Sequence, residues 1–128
     1  MTLQEEVRIS TQDGKLSCAV AFKLAGEHHR PAEEIGDLAD TLGIRISHCQ
    51  LGLFGYGPKS EGKHKIVKAA EQITPELLAV LQGRVIDGNV TCADAWVVAD
   101  ALGIARMQVS AAMETLGVKV TKCQLHCF

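Results

Sequence analysis

A chain of 128 residues with 47% hydrophobic and 22% charged side chains has the size and composition of one medium or two very small globular domains, not of a disordered tract. No apolar run approaches the ~20 residues a membrane-spanning helix needs, and the opening MTLQEEVRIS lacks the basic stretch and apolar core of a secretory signal, so a cytoplasmic protein with five reduced cysteines is expected. A formal net charge of −2 and only 4% aromatic residues argue against a general polyanion binder and against a single-strand binder that stacks bases on aromatic platforms.

In chain order, residues 1–54 hold five basic and eight acidic side chains. Asp13-Gly14 reads as a turn, and Ser17-Cys18-Ala19 opens a helix that carries Ala21, Phe22 and Ala25. His28, His29 and Arg30 form a polar turn between helices, and Pro31 restarts a helix whose exposed face is acidic, with Glu33, Glu34, Asp37 and Asp40 around Ile35. LGIRISHCQLGLF then follows from Leu42 to Phe54. Residues 55–73 carry four basic and two acidic side chains, a positive segment with Lys59, Lys63, Lys65 and Lys68. Its glycines, Gly55, Gly57 and Gly62, lack the Lys-Ser or Lys-Thr of a phosphate-binding loop and read as a flexible wing, closed by a strand near His64–Val67.

The remainder is cleaner. Thr74-Pro75-Glu76 starts a helix, with Thr as cap, Pro in the first turn and Glu toward the positive end of the dipole. Leu77, Leu78 and Leu81 lie on one face, and Asp87-Gly88 turns the chain into a short extended piece, Asn89–Thr91. Thr91 caps a helix over Cys92–Leu102 with Trp96, Val97 and Ala99 inward, and Gly103 ends it. A further helix runs from about Ala105 to Thr115, apolar at Val109, Ala112, Met113 and Leu116, and stops at Gly117. Alternation over Val118–Lys122 marks a strand with one wet face.

The two halves repeat. LGIRISHCQLGLF at Leu42–Phe54 returns as LGVKVTKCQLHCF at Leu116–Phe128, 74 positions on, and the same interval aligns Asp13-Gly14 with Asp87-Gly88 and Ser17-Cys18-Ala19 with Thr91-Cys92-Ala93. The chain reads as a tandem duplication whose units follow the order helix, short strand, helix, tight turn, helix, strand. Ala99-x3-Gly103-x5-Val109 matches the helix-turn-helix spacing, in which a small residue admits close helix approach, Gly turns and a branched residue seats the next helix. The first half holds Ala25, His29 and Ile35 at those positions.

On that triplet and element order the chain resembles the tandem winged-helix regulators of bacteria, the class that includes MarR-type proteins and the DNA-binding domain of the molybdate-responsive ModE-type repressor. The expected architecture is mainly α with small β-wings (α+β). It comprises two tandem winged helix-turn-helix domains, residues 1–68 and 69–128, the second stopping at Phe128 where a returning strand would begin. That open edge invites homodimerisation.

Such an architecture implies a DNA-binding transcriptional regulator, its third helix entering the major groove of duplex DNA and its wing touching phosphate. The reading residues are Arg106, Gln108 and Ser110, with Met107 nearby, and the phosphate contacts fall to Lys59, Lys63, Lys65 and Lys68. The acidic helix of the first half would repel phosphate and suits a protein partner, which gives the alternative of an adaptor that does not bind DNA. Cys18 and Cys92 fit as small buried residues at helix starts. Cys123, His126 and Cys127 form the one thiol-imidazole cluster that suggests metal binding or thiol sensing. No other cofactor is implied, and neither a catalytic signature nor a membrane partner is indicated.

Overall fold

The computed structural model describes residues 2–57 and 59–127. It is a mixed α/β protein, about 48% helical, with six α-helices and four three-residue strands among the described residues. The chain divides into two compact units, Met1–Lys65 together with Gln124–Cys127, and Ile66–Cys123.

In the first unit, Thr2 caps α1 (Leu3–Ser10) by accepting from the Glu5 amide at 3.2 Å. Asp13 and Gly14 both take positive φ, 52° and 75°, the geometry of a tight two-residue turn, and Gln12 and Lys15 exchange backbone hydrogen bonds at 2.9 Å across it. The turn delivers β1 (Lys15–Ser17), whose last residue caps α2 (Cys18–Glu27). Four residues past α2 the chain enters α3 (Ala32–Thr41), which buries Ile35, Gly36 and Ala39. It then returns as β2 (Arg45–Ser47), parallel to β1 in the register Lys15↔Arg45, Leu16↔Ile46, Ser17↔Ser47. Two consecutive helices between the strands bring the chain back to the same end of the ladder, which permits parallel pairing over so short a stretch. Val7, Leu16, Ile35 and Leu51 are fully buried and form this unit's core, each worth about 1.5–3 kcal/mol of apolar burial.

The second unit follows the same plan. α4 (Pro75–Gln82) is capped by Thr74, whose hydroxyl accepts from the Leu77 amide at 3.2 Å. β3 (Asn89–Thr91) leads into α5 (Cys92–Leu102), α6 (Arg106–Leu116) and β4 (Lys119–Thr121), which pairs parallel with β3 from Asn89↔Lys119 to Thr91↔Thr121. Both strands of this ladder lie 74 positions after those of the first, as do the starts of α5 and α6 after α2 and α3. Leu81, Val90, Val98, Val109 and Met113 fill the core.

Several expectations are corrected. No strand forms over 64–67; Ile66 is exposed and Val67 buried, so the segment offers no alternating face, and β1 takes β2 directly as its neighbour. Val97 points outward at 45% exposure while Val98 is buried, and Leu116, in the last turn of α6, is exposed. Phe128, where a returning strand was expected to begin, lies outside the described residues. Among the described residues no helix is long and apolar enough to cross a membrane.

The repeated Cys-Gln-Leu segment gains a physical account. After β2, the Cys49 amide donates to the Phe54 carbonyl at 3.2 Å and Gly52 donates to the Cys49 carbonyl at 2.9 Å, a tight loop that turns Cys49 and Leu51 into the core. Cys123 and Leu125 are buried as well. Positive φ recurs at His48 and Lys122, just before each cysteine.

Candidate nucleic-acid interface

The helix pair of the second unit carries the expected reading residues. Thr91 accepts from the Asp94 amide at 3.1 Å to start α5, and Gly103 stops it in the left-handed region at φ 66°, a conformation that costs most side chains about 1–2 kcal/mol. The Ile104 amide closes the turn on the Ala99 carbonyl at 3.0 Å. Ala99 and Val109 are fully buried where the helices meet, as the Ala-x3-Gly-x5-Val spacing requires. In the first unit His29 takes Gly103's place at φ 53°, with the Arg30 amide on the Ala25 carbonyl at 2.9 Å.

α6 opens with no capping side chain at Ala105; instead the Gln108 amide oxygen accepts from the Ala105 amide at 2.8 Å. Arg106 lies with its guanidinium 3.7 Å from the Trp96 ring centroid and 3.4 Å from an Asp100 oxygen. Both residues sit at the exposed start of the helix, already oriented by local bonds. Ser110 does not join them. It is 1% exposed, and its hydroxyl finds no partner among the described residues. On the helix wheel it lies beside Met113 at the edge of the buried arc formed by Ala112, Val109 and Met113, which places it on the core side, where a polar side chain reads misleadingly as surface.

The lysines divide between the units. Lys68 is exposed and lies two residues before Ala70, whose amide donates to the Ala111 carbonyl at 3.0 Å and whose carbonyl accepts from the Thr115 hydroxyl at 2.7 Å. Those bonds lay the segment along the C-terminal half of α6, where Glu114, Thr115 and Leu116 remain exposed. Lys63 and Lys65 are exposed in the first unit, and the side chain of Lys59 lies outside the described residues. The acidic side chains of α3 are exposed, but Glu34 pairs with Arg30 at 3.3 Å and Asp37 with His126 at 3.1 Å.

That last contact also separates the suggested thiol cluster: His126 engages Asp37, Cys123 is buried and Cys127 exposed. Among the described residues no group of three or more His, Cys, Asp or Glu side chains is placed to hold a metal ion, and none of the five cysteines is in a disulfide. No family model, curated protein or solved structure matches this chain.

Sequence reasoning passed over four residues. Trp96 was read as core alone, yet its ring also seats Arg106. Lys15 and Arg45 stand opposite each other across the first parallel ladder, a pairing invisible until the register is known. Tyr56 donates its hydroxyl to the Cys49 carbonyl at 2.5 Å, and burial first, then the neighbouring Cys49 and Cys18 thiols, raise its pKa above the usual phenol value.

Proposed function

We propose that this chain is a DNA-binding transcriptional regulator built as a tandem duplication of a winged-type helix-turn-helix module, with the 48–64 loop of the first unit in the place of a stranded wing. The reading rests on one observation, the α5–Gly103–α6 turn, which sets Arg106, partly exposed, and Gln108, exposed, on the first turn of α6. N-terminal residues of the second helix in such a pair read base edges, Arg matching guanine and Gln matching adenine. Lys63, Lys65 and Lys68 contribute phosphate contacts, which position the protein without reading sequence.

The test is fluorescence anisotropy of labelled random and genomic duplexes at two salt concentrations. Affinity should fall steeply with salt; Arg106→Ala should weaken binding, and each phosphate-contacting lysine changed to Ala should reduce the salt slope by about one. Absence of binding at low salt refutes the reading. The acidic, exposed face of α3 favours a second one, an adaptor that docks a basic protein partner through Glu33 and Asp40; retained partner capture with no duplex affinity would select it.

A further inference from the structure

The first unit contains a cleft of about 500 Å³ whose two cations the DNA-binding reading does not use. Lys15 and Arg45 line one side, brought together by the β1–β2 register, and neither is paired with a carboxylate among the described residues. Among the described residues no acidic side chain lines the cleft. Phe54, Tyr56 and His64 supply an aromatic side, with the Phe54 and His64 ring centroids 6.3 Å apart at 33°.

This wall is held in place. The Gly55 amide donates to His64 Nδ1 at 3.3 Å, the Tyr56 amide donates to the His64 carbonyl at 3.3 Å, and the Tyr56 hydroxyl is tied to Cys49. A Cβ at Gly55 would stand 2.7 Å from Ser47 Cα, so the loop backbone lies directly against β2. A volume within the ~300–1,000 Å³ typical of small-molecule sites, two unneutralised cations and an aromatic face together fit a planar ring bearing a dianionic group. At the positions 74 residues on, Asn89 replaces Lys15 while Lys119 replaces Arg45, so the cation pair belongs to the first unit.

We infer that this cleft binds a mononucleotide, its phosphomonoester held by Lys15 and Arg45 and its base against Phe54, Tyr56 and His64. The cations it invokes, Lys15 and Arg45, are not among the DNA-contacting residues proposed above, whereas Phe54, Tyr56 and His64 belong to the 48–64 loop that stands there in the place of a wing. Phosphate chemistry can also come from a nucleic-acid backbone, and the experiment separates the two sources.

Isothermal titration of the full chain with adenosine and uridine 5′-monophosphates tests it, with inorganic phosphate, adenosine and a short duplex as parallel probes. Saturable one-to-one binding of at least one nucleotide is expected. Inorganic phosphate and adenosine should each bind at least about tenfold more weakly, and Lys15→Gln or Arg45→Gln should each cost about tenfold, the scale of one lost charge-assisted contact. Both side chains are exposed, and an unchanged circular dichroism spectrum will establish that the variants fold. No nucleotide binding at millimolar concentration, equal binding of inorganic phosphate, or affinity unaffected by both substitutions overturns the inference. So does duplex binding that depends on Lys15 and Arg45 with no nucleotide binding, which would assign the cations to a polymer backbone.

Discussion

Gly36 is the position where a single methyl group should separate local helix preference from tertiary packing. It is buried in α3, and a Cβ built there would lie 1.8 Å from the Leu125 carbonyl oxygen and 2.6 Å from its carbonyl carbon. The obstacle is backbone, so no side-chain rotation relieves it. The least costly response of Gly36→Ala is to release the 124–127 segment from the first unit. That forfeits the burial of Leu125, 2% exposed and worth about 1.5–3 kcal/mol, and the exposed His126–Asp37 contact, worth about 0–1 kcal/mol. Alanine returns up to about 1 kcal/mol of helix propensity. The net loss should therefore be about 0.5–4 kcal/mol, read from urea denaturation, with hydrogen exchange localising new exposure to 124–127. In a chain shortened to end at Cys123 the obstacle is gone and the sign should reverse, with Gly36→Ala stabilising by up to about 1 kcal/mol. Equal destabilisation in the full and shortened chains would refute the argument that close approach to Leu125 is what demands glycine.

Ser110→Ala should raise stability by about 1 kcal/mol in thermal denaturation, because it removes a buried hydroxyl that has no hydrogen-bond partner among the described residues. Arg106→Ala should alter the emission of Trp96, the single tryptophan, and cost about 0.5–1 kcal/mol through loss of the cation–π contact; unchanged emission would place the guanidinium elsewhere in solution. Tyr56 is the single tyrosine, so a phenolate absorbance titration of the native protein should give a midpoint above about 10. Since the folded state holds that proton more tightly than the unfolded chain, the contribution is intact below the unfolded pKa and lost as pH rises through the folded one. Tyr56→Phe should flatten this alkaline decline.

What the sequence made legible was local. Thr74, Thr91, Gly103 and Gly117 start and stop helices through bonds and backbone angles set within a few residues, and each lies where such chemistry puts it. The strands at Asn89–Thr91 and Lys119–Thr121 could be located for the same reason, but their parallel partnership could not, because it depends on two intervening helices returning the chain to the same edge. Ser110 and Val97 were misplaced because identity was weighed above angular position: a serine among Val109, Ala112 and Met113 is carried inward by its neighbours, and a valine one step from Val98 is carried out. Of the candidate interface, Arg106 and Gln108 were legible from their place at a helix start, whereas the cleft was not, since Lys15 and Arg45 are neighbours only through the register.

Six non-glycine residues among those described hold positive φ: Asp13, His29, His48, Asp87, Lys122 and His126. Asp and His tolerate this region better than most, but each still forgoes part of the roughly 1 kcal/mol that glycine would spare. His29 shows the alternative, because Gly103 already occupies the corresponding corner of the second unit. The fold thus stands below its own stability ceiling, with relief available one residue at a time and no change in the core. A lineage under thermal selection has an inexpensive path upward, and His29→Gly is its first step.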